Sequence, residues 1–447
     1  MNKIKKYSLL VVIGFVLTSA LCGCENKGFE IYDGTKAIAY IESENKDTWD
    51  ASTVNEREYI EVVIEEAKGI ISEIEKCDAQ TAAEKLFKGE YPQIYTYYDG
   101  DISNSLSESY EDYETKGLEL GCAVADTSGR VLAVMSRGGE KNLATAKTPP
   151  YSAFKPLAVY MQAVEKNIAG WSKVYLDAPV KQVKEIDGSF RDWPSNATNT
   201  YRYSNVTMNV ALRESLNTVA VRCMDEIGVK ESLRYMKENL GLDLSFESDR
   251  LKLEGEEEIY GNVALGYLQD GVSPLEMAGY YQIFANGGFY QKPGAISKIC
   301  DRDGNSVYTR EDKKQSVISG ESAFIMNKLL CEVVSSLGTG EKAYISEISV
   351  GGKTGTGDKG NWFVGFTPQY VCAVWHGKQV DQNISSEFFS KAVSRFNLDN
   401  TAEYPKCDGV KEYIYCSESG KLVSPDCKKA ALGYCVQSEV LETCNEH

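Results

Sequence analysis

Ser152 and Lys155 stand three residues apart, with Pro156 next in the chain. On a helix such positions share a face, so the lysine amine can reach the serine hydroxyl. A lysine kept neutral by burial or by a nearby cation can accept the serine proton, the task usually given to histidine. Pro156 is tolerated only near a helix start, which places Ser152 at the helix N-terminus. There the backbone N–H groups and the dipole favour a developing oxyanion. The spacing alone is weak, because Ser43-Glu-Asn-Lys46 has it too, in polar sequence.

Two further groups supply complementary chemistry. Ser215-Leu-Asn217 offers a hydroxyl and an amide two residues apart, fit for a proton relay and a substrate hydrogen bond, or simply for capping a helix. Gly351-Gly-Lys-Thr-Gly-Thr-Gly357 reads as a strand whose glycines let another backbone approach closely. Lys353 adds a cation, and Thr354 and Thr356 add hydroxyls suited to a carboxylate. A phosphate-binding P-loop shares Gly352-Lys353-Thr354, but its required earlier glycine is Glu347 here. The chain has two histidines, His376 and the final His447, too few for a His-rich metal site or an HExxH hydrolase. A Ser-His-Asp triad could draw only on His376. No metal and no cofactor is expected at this site.

These groups need elements to hold them. Gly121–Asp126 and Val131–Met135 are apolar runs around Thr127-Ser-Gly-Arg130 and read as a β-hairpin. The stretch from about Ser152 to Leu240 reads as mainly helical, with Leu212, Leu216, Ala220, Cys223 and Ile227 on one stripe. Pro274–Phe284 predicts another helix, closed by Asn286-Gly-Gly288. Strands are expected at Ile348–Thr356, Asn361–Phe366 and Tyr370–Trp375. A helix should start near Thr53, where Thr53 and Glu56 have capping-box spacing, and Ile60, Val63, Ile64, Ala67, Ile71 and Ile74 share a face. A hairpin, a helical middle and antiparallel strands give an α+β fold, one antiparallel sheet with a helical cluster.

Length and charge limit the rest. The 447 residues, with 43% hydrophobic composition, suffice for a large core. A net charge of −17 argues against nucleic acid as a partner. Lys3, Lys5 and Lys6 precede an uncharged apolar stretch from Tyr7 to Cys24, the pattern of an export signal. Its ending, Leu21-Cys22-Gly23-Cys24, resembles a bacterial lipobox and marks Cys24 for lipidation and membrane anchoring. Cys77, Cys122, Cys223, Cys300, Cys331 and Cys372 are scattered and read mostly as buried apolar residues. Cys407, Cys416, Cys427, Cys435 and Cys444 crowd the end of the chain. In an exported protein they suggest two disulfides and one spare thiol; a zinc knuckle is disfavoured because no CxxC pair occurs.

In their order, SxxK, SxN and KTG resemble the penicillin-binding and serine β-lactamase superfamily. Ser152-Ala-Phe-Lys-Pro156, Ser215-Leu-Asn-Thr-Val-Ala-Val221, Leu265-Gly266 with Gly271-Val-Ser-Pro274, Phe284–Gly288 and Lys353–Thr356 with Trp362–Pro368 are similar to class A penicillin-binding transpeptidase domains. The resemblance implies a D,D-transpeptidase that crosslinks peptidoglycan stem peptides ending in D-Ala-D-Ala and is acylated by β-lactams. Ser152 would be the nucleophile, Lys155 its base and Ser215 the proton relay. Asn217, Lys353, Thr354, Gly355 and Thr356 would bind substrate, with the N–H groups of Ser152 and Thr356 as oxyanion hole. Competing readings are a D,D-carboxypeptidase, a β-lactamase, or a non-catalytic β-lactam sensor or wall-binding scaffold.

The expected organisation is a lipoprotein signal peptide at 1–24, an N-terminal tether and helical region at 25–94, the transpeptidase domain at 95–395 and a cysteine-rich tail at 396–447. About 70 residues between Cys24 and the similar region leave no space for the glycosyltransferase domain of class A proteins. A separate glycan polymerase would then be a partner, in a Gram-positive setting on the outer face of the membrane. Two departures stand out. Tyr151 occupies a position where the family has a small residue, so its bulk should narrow the entrance or alter the turn. Ile94–Asp99 follows the family signature only loosely.

Overall fold

The computed structural model describes residues 28–445 apart from 46–49, 52–53, 115–116, 186, 255 and 378–380. The export signal, Cys22, Cys24, Lys46, Thr53 and His447 lie outside the described residues. Among the described residues, no helix is long and apolar enough to cross a membrane.

A five-stranded antiparallel sheet runs in the order Gly351–Gly357, Gly360–Phe366, Tyr370–His376, Leu120–Asp126, Val131–Arg137. The expected hairpin and the three late strands all belong to it, and the glycine-rich strand forms one edge. Alternation along Gly360–Phe366 sends Trp362, Val364 and Phe366 into one apolar cluster and Phe363 into another. Helix Pro274–Ala285 covers the first face, where Phe284 meets Phe366, and helix Ile384–Val393 covers the second, where Phe389 meets Phe363 edge-on. Pro274–Ala285 is apolar on all sides, as a central helix must be. Ser273 and Glu276 close a capping box at its start.

The helical middle departs from its periodicity. Between Val174 and Thr207 lie four short strands, Val174–Leu176, Lys181–Lys184, Phe190–Trp193 and Asn205–Thr207. Pro179, Gly188 and Pro194 punctuate this stretch, and no apolar repeat of helical period runs through it. The stripe from Leu212 to Ile227 is buried, but it spans two helices, Met208–Arg213 and Asn217–Ile227, parted at Ser215.

The N-terminal region is also corrected. Instead of a polar tether, Phe29–Tyr32, Ala37–Ile41 and Asp50–Ala51 join Gln93–Thr96, Ile296–Cys300 and Ser306–Thr309 in a six-stranded sheet. Phe29, Ile31, Ile38 and Ile41 supply its buried side chains. Runs of four or five residues in polar surroundings carry too weak a period to announce this. Helix Val54–Glu75 follows, with Ile60, Val63, Ile64, Ala67 and Ile71 buried as expected and Ile74 exposed. At the other end, strands Val410–Cys416 and Ala430–Val436 pair as a hairpin. It docks on the helical middle, with Tyr434 edge-on to Trp171 and Tyr413 donating to Ser172 Oγ at 2.7 Å.

Candidate active site

Ser152 lies in a 3-10 turn, Tyr151–Phe154, which a π-helical stretch, Pro156–Tyr160, and a short α-helix, Met161–Glu165, continue. The proline is therefore placed where its missing N–H is harmless, and Ser152 is at the start, as expected. Several contacts fix this turn. Tyr151 N–H donates to the Gly266 carbonyl at 2.9 Å, Trp362 Nε1 to the Pro149 carbonyl at 2.9 Å, and the Tyr281 hydroxyl to the Ala153 carbonyl. Gly266 has φ +73°, and a Cβ there would fall 2.1 Å from the Tyr151 carbonyl oxygen, so only glycine permits the approach.

Tyr151 itself has φ 50°, a region costly for an aromatic residue. Its ring does not stand in an entrance. It is buried beneath the end of the glycine-rich strand, where a Cβ on Gly357 would meet its Cζ at 2.0 Å. The hydroxyl donates to Asp358 Oδ1 at 2.7 Å and accepts from Lys359 N–H at 3.0 Å. Burial, reinforced by the Asp358 carboxylate, raises this phenol above its ordinary range.

Lys155 and Lys353 are both fully buried. Lys155 Nζ donates to Asn217 Oδ1 at 2.6 Å, to the Ser215 carbonyl at 2.8 Å and, weakly, to Ser215 Oγ at 3.5 Å. Lys353 Nζ donates to the same Ser215 Oγ at 2.9 Å and to the Thr354 carbonyl at 3.1 Å. None of these acceptors is a carboxylate. Desolvation, with the Lys353 charge adding to it, holds the Lys155 amine well below its usual pKa, and desolvation brings Lys353 down to about 7. Ser215 reaches both amines because it sits at φ 62° in the break between two helices. The expected contact between Lys155 and Ser152 Oγ is not formed among the described residues; the amine is turned toward Ser215 and Asn217.

Asn217, expected to hold a substrate amide, already has local partners. Its Oδ1 accepts a hydrogen bond from Lys155 Nζ, its Nδ2 donates to the Ser195 carbonyl at 2.6 Å, and its N–H donates to Asn196 Oδ1 at 2.9 Å. Asn196 was not foreseen; it lies in an irregular segment with no motif around it. Nor was Thr339, whose hydroxyl is 2.8 Å from that of Thr354.

The glycine-rich strand passes directly over the serine turn. A Cβ on Gly355 would lie 2.4 Å from the Pro150 carbonyl oxygen and 3.0 Å from Ala153 N. Glycine there permits this close approach, with Thr356 exposed and Thr354 half-buried on either side of it. Since this segment is an antiparallel edge strand and not a loop entering a helix, it is no P-loop. His376 is buried on the sheet beside Ser385 Oγ at 2.6 Å and takes no part. The ensemble thus has a serine at a helix start, two uncharged-prone lysines sharing one hydroxyl, and an edge strand bearing hydroxyls.

This α+β frame is that of the β-lactamase and transpeptidase fold. Residues 121–394 match the penicillin binding protein transpeptidase domain, and the chain belongs to that family. Penicillin-binding protein 1A of Clostridium botulinum (strain Langeland) is 29% identical over 323 residues, covering 67% of this chain and 38% of its own length. Penicillin-binding protein 4 of Bacillus subtilis is 30% identical over 304 residues, 65% of this chain and 45% of the relative. The chain thus spans less than half the length of these relatives. Among solved structures, the D,D-transpeptidase domain of the Eggerthella lenta peptidoglycan glycosyltransferase aligns with TM-score 0.59 at 18% identity, covering 83% of this chain and 97% of that one. Penicillin-binding protein A of Mycobacterium tuberculosis, an imipenem acyl-enzyme, aligns with TM-score 0.62 at 16% identity, covering 83% and 98%. At these identities the structures speak to the fold.

Proposed function

We propose that this protein is a serine D,D-transpeptidase that crosslinks peptidoglycan stem peptides and is acylated by β-lactams at Ser152. The observation that carries this reading is the Lys155 amine, buried without a carboxylate partner and next to a second buried amine. In its neutral form it takes the proton from Ser152 Oγ as that oxygen attacks the D-Ala-D-Ala carbonyl. The turn of Lys155 from Asn217 toward Ser152 accompanies substrate entry, since catalytic hydrogen bonds often close only in the complex. Ser215, between the two lysines, carries the proton to the leaving amine. Loss of the terminal D-Ala leaves an acyl-Ser152 ester.

Lys353, Thr354 and Thr356 receive the terminal carboxylate, with Gly355 keeping the strand close. The N–H groups of Ser152 and Thr356 face the oxyanion, at roughly 3 kcal/mol for each donor. An amine from a second stem peptide then takes the acyl group. Transfer is favoured over hydrolysis because the hydrogen-bond partners of Lys155, Lys353 and Asn217 include no carboxylate to activate water. A lipid on Cys24 would hold the domain at the outer membrane face, where a separate glycan polymerase supplies strands. Incubating a stem-peptide donor with and without an acceptor amine tests the reading. A crosslinked product only with acceptor is expected; release of the shortened acid alone at the same rate would show a carboxypeptidase.

A further inference from the structure

The hairpin at the C-terminal end brings three distant cysteines to one point. Cys416 ends strand Val410–Cys416, Cys427 lies in the loop that follows, and Cys444 comes after the second strand. Their Sγ atoms all lie within 4.8 Å of one another. Cys407 and Cys435 are outside this group, although all five had equal standing in the sequence.

The backbone is shaped around the three sulfurs. Cys416 N–H donates to the Lys421 carbonyl at 2.7 Å and Gly420 N–H to the Cys416 carbonyl at 2.8 Å, closing a tight turn with Gly420 at φ +73°. The N–H groups of Ser419 and Glu418 are directed at the Cys416 sulfur, and that of Lys429 at the Cys427 sulfur. Leu422 N–H donates to the Glu442 carbonyl at 2.8 Å, and Cys444 N–H returns to the Leu422 carbonyl at 2.7 Å, which fastens the third sulfur to the same turn. Cys416 and Cys444 are buried and Cys427 is half-buried.

We infer that Cys416, Cys427 and Cys444 form a structural zinc site. Sulfurs on a tetrahedral zinc ion, at Zn–S of about 2.3 Å, are about 3.8 Å apart, a triangle these side chains can close by small rotations. A disulfide would use two of the three and leave the third, buried or half-buried, without a sulfur partner. Soft thiolates also select zinc over magnesium or calcium. On binding, each thiol still protonated gives up its proton to solvent and its sulfur lone pair to the metal; nothing is oxidised. Water completes the fourth position. The site explains how a two-stranded hairpin, marginal by itself, keeps one shape.

The test uses the full chain purified without chelator. Elemental analysis should find about one zinc per chain, and replacement by cobalt should give sulfur-to-cobalt charge-transfer absorption. Cys427→Ser should lose both signals, while Cys407→Ser and Cys435→Ser retain them. Should Cys427→Ser fail to fold, the cobalt spectrum of the unaltered chain still decides. Reduced protein that takes up neither metal overturns the inference. So does a chain lighter by two hydrogens with a disulfide mapped among the three cysteines.

Discussion

The hydroxyl of Tyr151 donates a 2.7 Å hydrogen bond to the carboxylate of Asp358, 207 residues along the chain. This contact joins the residue before Ser152 to the turn that ends the glycine-rich strand. The two halves of the site, serine turn and edge strand, are thereby held in fixed register. A residue whose left-handed backbone would suit glycine is retained as tyrosine because its ring fills the space under Gly357 and its hydroxyl ties two elements.

Replacing this tyrosine should separate the tie from the packing. Tyr151→Phe keeps the ring and should cost about 1 kcal/mol, the net worth of one hydrogen bond. Tyr151→Gly relieves the backbone by roughly 1–2 kcal/mol but opens a cavity costing roughly 3–5 kcal/mol, so it should be the less stable. Thermal melts of both variants, with penicillin acylation rates, check this. Faster acylation in Tyr151→Gly would mean that the ring does obstruct the site.

Ser152→Ala should abolish covalent attachment of a β-lactam with little change in melting temperature, since loss of one half-buried hydroxyl opens hardly any cavity. Lys155→Ala should slow acylation roughly 10²–10⁴-fold, the usual contribution of a positioned base. Intact-mass spectrometry after penicillin treatment reads both. An adduct of equal yield on Ser152→Ala would remove the mechanism proposed above.

The two buried amines set the pH dependence. Lys155 must be neutral to accept a proton, and its pKa is depressed, so acylation rises with pH through a value well below the ordinary lysine range. Lys353 must be charged to hold a carboxylate, and with its pKa near 7 this attraction is lost as pH rises through neutrality. The profile of kcat/KM should be a bell whose acid limb follows Lys155 and whose alkaline limb follows Lys353. Lys353→Arg, which stays charged, should flatten that limb; a limb unchanged in this variant would assign it elsewhere.

Truncation after Lys406 removes the hairpin but keeps Tyr404, whose hydroxyl donates to the Ser349 carbonyl at 2.7 Å beside the sheet. Since SxxK, SxN and KTG all lie upstream, acylation should remain measurable. The loss of Trp171–Tyr434 packing and of the Tyr413–Ser172 hydrogen bond should lower the melting temperature. A soluble, folded truncation with no acylation would make the hairpin part of the site.

Cys24→Ala should end lipid attachment and signal cleavage at that residue. Metabolic labelling with palmitate followed by fractionation measures it. Unaltered labelling would point to Cys22 or to an uncleaved anchor.

The central sheet was legible because Leu120–Asp126, Val131–Arg137, Gly360–Phe366 and Tyr370–His376 are apolar runs with turns between them, and the glycine-rich Gly351–Gly357 directly precedes one of them. The candidate site stands out in the sequence because Ser152, Lys155, Ser215, Asn217 and Lys353 occur in fixed short spacings. What chemistry-bearing spacing could not show was orientation. Lys155 faces Ser215 and Asn217 instead of Ser152, a choice made by a backbone break at Ser215 that no residue type announces. Asn196 and Thr339 come from irregular segments and act through tertiary placement alone. The strands at Phe29–Ile41 went unread because runs of four or five residues carry too weak a period, and the pairing of Phe29–Tyr32 with Gln93–Thr96 joins segments some sixty residues apart.

Those early strands bear on the height at which the protein works. Phe29 is already a sheet residue, five steps from Cys24, and five residues fully extended span at most about 17 Å. With a lipid on Cys24, the body would sit against the bilayer surface like a moored raft and could not sweep the depth of the wall. Its acceptors would be restricted to glycan strands just emerging from the membrane. Lengthening the Cys24–Phe29 segment with a flexible insert should widen the zone of crosslinking outward, visible by fluorescent D-amino-acid incorporation in sectioned cells.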